Sequence, residues 1–238
     1  MKTDIVDHFW AEDFFNCTLA DFRGKQDILC PHFYLKGYNG IFVMKIFGKH
    51  IVSAPENKVS VFSQTINRGH DLYRPDLLRA LLGESFDKYI GPSWIGYPCQ
   101  EGSVNDPADC VRLLPRGDES RHALLEQLRA SCGPTEWSHC GIDEASEYVA
   151  LLCAGGIVLS AASYQNWCGK IAHIGIITHP QFRGRGYAQK VLQSITERIR
   201  KQGLLPQYRT LCDNAPAIKA AANCGYEEYA SHISVRLK

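Results

Sequence analysis

The sequence predicts an α/β fold in which strands alternate with helices, and three stretches predict it. Ile171–Gln202 reads as a strand, a glycine-rich turn and an amphipathic helix. Residues 110–162 read as a strand, a helix and a hairpin. Residues 214–237 read as a short capped helix and a closing strand. From Cys110 onward the expected order is strand, helix, hairpin, strand, helix, strand, helix, strand.

Ile171, Ile174, Ile176 and Ile177 are β-branched, as suits a buried strand. His179 and Pro180 end it, because proline has no amide hydrogen for a ladder. Gln181–Gly186 makes the turn. Ala188, Val191, Leu192, Ile195 and Ile199 then recur at helical spacing, with Gln189, Lys190, Gln193, Glu197 and Arg198 opposite. Gly203 suits the helix end. A helix start leaves backbone N–H groups unpaired, and these donors and the helix dipole attract an anion. Gly184 and Gly186 remove side chains that would hold a phosphate off the backbone. Arg183 and Arg185 add positive charge. A pyrophosphate is the natural guest, and an ordinary strand–turn–helix with two glycines is the competing reading. A dinucleotide fingerprint would need a third glycine at Gln189, and a Walker loop would need Gly-Lys-Ser/Thr, which is missing.

The run QFRGRGYA, Gln181–Ala188, resembles the pyrophosphate-binding motif of the GNAT superfamily of N-acetyltransferases, Gln/Arg-x-x-Gly-x-Gly/Ala. NAPAIKAAANCGY, Asn214–Tyr226, resembles the closing motif of the same family. Asn214, Ala217, Ile218 and Gly225 fall in register, with Tyr226 in a Phe place. Asn214 also suits a helix cap and Pro216 a first helical turn. The resemblance covers Val111–Leu237. It implies a GNAT fold, a mixed and mostly antiparallel central sheet flanked by helices, over residues 106–238. A smaller α/β domain over residues 1–105 precedes it, with a degenerate GNAT-like unit left open there. It further implies acetyl-CoA as co-substrate. The diphosphate would lie on Arg183, Gly184, Arg185, Gly186, Tyr187 and Ala188, the pantetheine along Ile176, Ile177 and Thr178, with a contact from Asn214.

The 238 residues carry a net charge of +1, 45% hydrophobic residues and 21% charged ones. This describes an ordinary globule with no global field for nucleic acid or acidic membrane. No stretch is apolar enough to span a bilayer, and the acidic N-terminus does not read as a signal peptide. The expectation is a cytoplasmic protein without nucleic-acid or membrane partners. The oligomeric state is not readable, and a homodimer stays open. Ten cysteines are scattered without a Cys-x-x-Cys pair, which reads as reduced thiols. His139 and Cys140, with Cys132 nearby, are the best metal candidates, and no metal is expected.

Before Cys110, residues 4–22 show a loose helical pattern carrying Phe9, Trp10, Phe14 and Phe15, read as a docked element. Residues 33–36, 41–47, 51–53 and 59–62 read as an antiparallel meander, with Asn39-Gly40 as a hairpin signal. Pro75 opens a helix that Gly83 closes. Residues 89–90 and 94–97 read as a strand pair around Gly91-Pro92. The polar run of residues 100–109 reads as the domain boundary. Beyond it, residues 164–169 read as the loop before the strand at Ile171.

The resemblance implies direct acyl transfer, in which a neutral amine attacks a thioester carbonyl held by strand amides. The amine must lose a proton, and the thiolate benefits from gaining one. The sequence departs from the family where a tyrosine acid is usual, because Ala221 stands there. His173 is the nearest titratable group on the strand and the candidate base. Tyr208, Cys212 and Tyr164 are the replacements for the acid, with Tyr208 and Cys212 preferred beside His173 as catalytic candidates. Tyr164 and Trp167 are also candidates for an acceptor wall. The reading is an acetyl-CoA-dependent N-acetyltransferase acting on a primary amine of a small molecule or protein. Ala221 sustains the alternative of a non-catalytic acyl-CoA sensor or scaffold, and a longer acyl group is a third reading.

Overall fold

The computed structural model describes residues 2–67, 70–99 and 110–238. The first elements are α1 (Lys2–His8), which runs into a π-helical stretch Phe9–Phe15, α2 (Leu19–Arg23), β1 (Ile28–Pro31), β2 (Gly40–Ile46) and β3 (Lys49–Ala54). Next come α3 (Glu56–Asn67), α4 (Pro75–Leu82), β4 (Phe86–Pro98), β5 (Val111–Pro115), α5 (Glu119–Ser131) and α6 (Pro134–His139). The chain closes with β6 (Tyr148–Ala154), β7 (Ile157–Trp167), β8 (Ile171–Thr178), α7 (Tyr187–Lys201), β9 (Leu205–Leu211), α8 (Ala215–Asn223) and β10 (Tyr226–Leu237). Two compact units result, residues 1–95 with 229–238, and residues 96–228. The expected boundary at 105/106 lies outside the described residues. The closing residues group with the first unit, not with the second as the sequence suggests. The reason is pairing, because β10 runs antiparallel to β2 from Ser231↔Lys45 to Arg236↔Gly40.

In the first unit β3 pairs antiparallel with β2 and parallel with β1. Residues 59–62 are helical, not a strand. Val59, Phe62 and Ile66 recur every three or four residues, and Phe62 is fully buried against Val43, Val52 and Leu78. Residues 33–36 form a turn with Phe33 and Tyr34 exposed. The β2–β3 hairpin turns at Phe47-Gly48, whereas the Asn39 side chain donates to the carbonyls of Leu237 and Lys238. Phe9, Trp10, Phe14 and Phe15 are buried, as a docked element requires.

In the second unit β5, β6, β7 and β8 pair antiparallel in sequence order, and β9 adds parallel to β8. Period-2 alternation gives the strands two apolar faces. Val149, Leu151, Ala161 and Ile177 pack with Leu125 and Leu128 of α5. α7 packs on β6, β7 and β8 through its apolar stripe, in which Val191, Leu192, Ile195 and Ile199 are fully buried. The loop expected at residues 164–169 is mostly strand, since β7 continues to Trp167 and turns at Cys168-Gly169.

Candidate functional site

β8 and β9 pair from Ile171↔Leu205 to Ile174↔Tyr208 and no further. Both strands continue beyond that point, to Thr178 and Leu211. A cavity of about 650 Å³ is lined by these parted ends together with the loop at Gly184, the first turn of α7 and one side of α8.

Gly186 is the N-cap of α7 with φ 76°, a left-handed conformation that an L side chain enters at a cost of roughly 1–2 kcal/mol. No side chain caps the helix. Tyr187, Ala188 and Gln189 of its first turn line the cavity. Arg183 lines it too, but its guanidinium is engaged. Nε donates to the Thr178 carbonyl at 3.2 Å, and Nη2 pairs with the Glu136 carboxylate of α6. Arg185 does not line the cavity and stands over the Phe182 ring, 5.4 Å from its centroid.

The segment after α6 makes a second contact with the site. The Ile176 N–H donates to the Cys140 carbonyl at 3.0 Å. Gly141 lies directly against Gly175, where a Cβ would come within 2.0 Å of the Gly141 carbonyl oxygen. Glycine at 175 is therefore required by close backbone approach. Cys140 and Glu136 both line the cavity, so one short segment holds a strand amide and the cation of the turn.

The sequence model of the acetyltransferase (GNAT) family matches residues 114–226. Residues 114–226 are a GNAT acetyltransferase domain. An acetyltransferase of the GNAT family from Colwellia psychrerythraea is similar in structure, with 21% identity and a TM-score of 0.50, over 68% of this chain and 62% of that one. The chain thus spans about three fifths of that relative's length. A GCN5-related N-acetyltransferase-like protein from Streptococcus suis has 15% identity and a TM-score of 0.48, over 86% of this chain and 90% of that one. No curated protein matches the sequence. The central sheet flanked by helices is the GNAT fold.

Within the GNAT domain, Ile176, Ile177, Thr178, Arg183, Gly184, Gly186, Tyr187, Ala188 and Asn214 line one cavity, and Arg185 does not. Asn214 caps α8 by accepting from the Ala217 N–H at 3.3 Å. Of the catalytic candidates only Tyr208 lines the cavity. Burial pushes its hydroxyl up to about 12, so it stays protonated at neutral pH. Cys212 is exposed in the turn after β9, outside the lining, its thiol raised first by desolvation and then by Glu228 and Asp213. His173 also lies outside the lining, with its ring 4.8 Å from Trp167. Burial, helped by the Arg209 charge, lowers it to about 3 against the pull of a Gln207 hydrogen bond. Its Nδ1 is buried and unpartnered. A base that weak is poorly matched to an amine at neutral pH. Tyr164 is buried and donates to Gln202, away from the cavity.

Sequence reasoning missed Glu136, Arg209, Lys219 and Asn223, all of which line the cavity, and read Cys140, which also lines it, only as a metal candidate. Gly133-Pro134 is a helix start that could have revealed α6. The spacing of Pro216, Lys219, Ala220 and Asn223 is that of one helix face. Among the described residues Cys132, His139 and Cys140 form no metal-ligand group; the one such group is His122, Glu126 and Glu144.

His173 makes the GNAT domain acid-sensitive in a defined window. Its ordinary value is 6.5 and its folded value about 3, so between these the unfolded chain binds the extra proton and stability falls as pH falls. Thermal unfolding of His173→Gln measured from pH 7 to pH 3 should show a shallower decline than wild type. Parallel declines would contradict the burial argument.

Proposed function

We propose that the protein transfers an acetyl group from acetyl-CoA to a primary amine. The uncapped start of α7, opening into the cavity between the parted strands, carries this reading. The amides of Gly186, Tyr187 and Ala188 take the diphosphate, as an N-terminal dipole favours. Lys219 adds a cation from α8. The pantetheine runs along Ile176–Thr178, so that the thioester lies near Tyr208.

The amine nitrogen attacks the carbonyl carbon as its free base. The tetrahedral intermediate collapses by breaking the C–S bond, and the departing thiolate takes the Tyr208 proton. Tyr208 regains a proton from the product nitrogen through water. A hydroxyl still protonated at neutral pH suits a donor. His173 acts by packing against Trp167 rather than by moving the amine's proton. The first unit supplies none of these residues.

In this reading the cofactor enters by exchange. The diphosphate competes with Glu136 for Arg183, and the pantetheine competes with the Cys140 carbonyl for the Ile176 amide. The sensor reading rests on Ala221, which is fully buried where the family's tyrosine would stand.

Thiol release from acetyl-CoA across a panel of primary amines tests transfer. Turnover is expected with at least one amine, and Tyr208→Phe should lower kcat about 100-fold with little change in KM for acetyl-CoA. Tight acetyl-CoA binding without thiol release on any amine would favour the sensor. Glu136→Gln should tighten acetyl-CoA about two- to fivefold in calorimetry, the worth of one exposed ion pair. Weaker binding would refute the exchange.

A further inference from the structure

The cavity of the GNAT domain is lined with more positive than negative charge, and one cation stands apart from the others. Among the described lining residues Arg183, Arg209 and Lys219 are cations and Glu136 is the carboxylate. Arg183 pairs with Glu136 at the glycine turn, and Lys219 belongs to α8. Arg209 belongs to β9, one residue beyond the last position at which β9 pairs with β8.

Alternation along β9 separates Arg209 from the helix that takes the diphosphate in the proposed reaction. Successive side chains of a strand point to opposite faces. Tyr208 faces α7, because its ring lies 6.5 Å from that of Tyr226, whose hydroxyl is hydrogen-bonded to Thr196 of α7 at 2.7 Å. Arg209 therefore stands on the other face, together with Gln207, the register partner of His173. Trp167 shares this face. Its ring is 4.8 Å from that of His173, and the Arg209 guanidinium carbon is 5.6 Å from the Trp167 ring centroid. A guanidinium over an indole face is steadied there. Burial lowers Arg209 to about 10, which leaves it charged at neutral pH but short of water. A cation so placed gains from a carboxylate, whose two oxygens match the guanidinium fork.

We propose that the acceptor amine carries a carboxylate, as an amino acid does, and that Arg209 binds that carboxylate. The inference rests on the transfer reading above. The cofactor fills the gap between β8 and β9 from the α7 side, and the amine reaches the thioester from the opposite face. There Arg209 takes the carboxylate and leaves the amine nitrogen at the gap. The guanidinium has two further effects. Its charge disfavours an ammonium nearby, which raises the share of free-base nucleophile. It also repels polyamines and lysine-rich chains, which bring further cations to a wall whose described carboxylate, Glu136, is already paired.

The test separates recognition from turnover. Calorimetry of the CoA-saturated full chain compares N-acetyl amino acids with the matching N-acetyl amino amides, each pair differing at the carboxyl end alone. At least one acid should bind about 30-fold more tightly than its amide, the effect of a charge-assisted hydrogen-bonded pair. Arg209→Met should abolish that preference, with CoA affinity and thermal unfolding as the checks on folding. Thiol release from acetyl-CoA then compares amino acids with their amides at equal concentrations of free-base amine. The acids should be favoured in kcat/KM by about tenfold or more, and Arg209→Met should raise KM for the acid with little change in kcat. If the variant does not fold, the wild-type comparisons decide alone. No acid bound more tightly than its amide, or amides turned over as well as acids, would overturn the inference and leave acetyl transfer standing. Thiol release with no amine at all would count against transfer, and the calorimetric preference would still decide whether Arg209 reads a carboxylate.

Discussion

Two parallel strands that stop pairing part-way along create the cavity of the GNAT domain. β8 and β9 share hydrogen bonds only as far as Ile174 and Tyr208. Past that point each strand exposes backbone groups that a buried setting does not leave unanswered. The parting gives the cavity its two walls. The turn after β8 delivers the uncapped start of α7 to its mouth, and Asn214 starts α8 on the other side. The remaining strands serve to hold this geometry. β7 pairs with all eight residues of β8, and α5 and α7 clamp opposite faces of the sheet.

The gap is not left to solvent alone. The segment following α6 answers the Ile176 amide with the Cys140 carbonyl, and Glu136 answers Arg183. The two bonds differ in character. An exposed ion pair contributes little and is screened by salt. The amide bond is shielded by close backbone contact at Gly141 and Gly175, and it is the stronger constraint on entry. Cofactor affinity in the proposed reaction is therefore a difference between two sets of contacts, not the sum of one.

The second half of the fold was legible because its signals are local. Isoleucines in β8, glycines at a turn and a helical stripe in α7 each state their conformation within a few residues. The first half was less legible. Val59–Phe62 has β-rich composition, yet its period is helical once Ile66 is counted, and burial of Phe62 decides the matter. The return of β10 to the first unit depends on pairing across nearly two hundred residues, which no local pattern carries. In the site, the glycines and Asn214 were readable from backbone needs. The engagement of Arg183 was not, because Glu136 lies 47 residues away in sequence on a six-residue helix. Nor was the weakness of His173 as a base, because burial and the Arg209 charge are tertiary effects.

In the proposed reaction the bared amides at the start of α7 grip a diphosphate. Backbone amide shifts of isotope-labelled protein during titration with CoA test it most directly, with pantetheine lacking the nucleotide as comparison. CoA should move the amides of Gly184, Gly186, Tyr187 and Ala188 most, and the truncated compound should leave them in place while still perturbing Ile176. CoA shifts that bypass Gly184–Ala188, or that the truncated compound reproduces there, would contradict it.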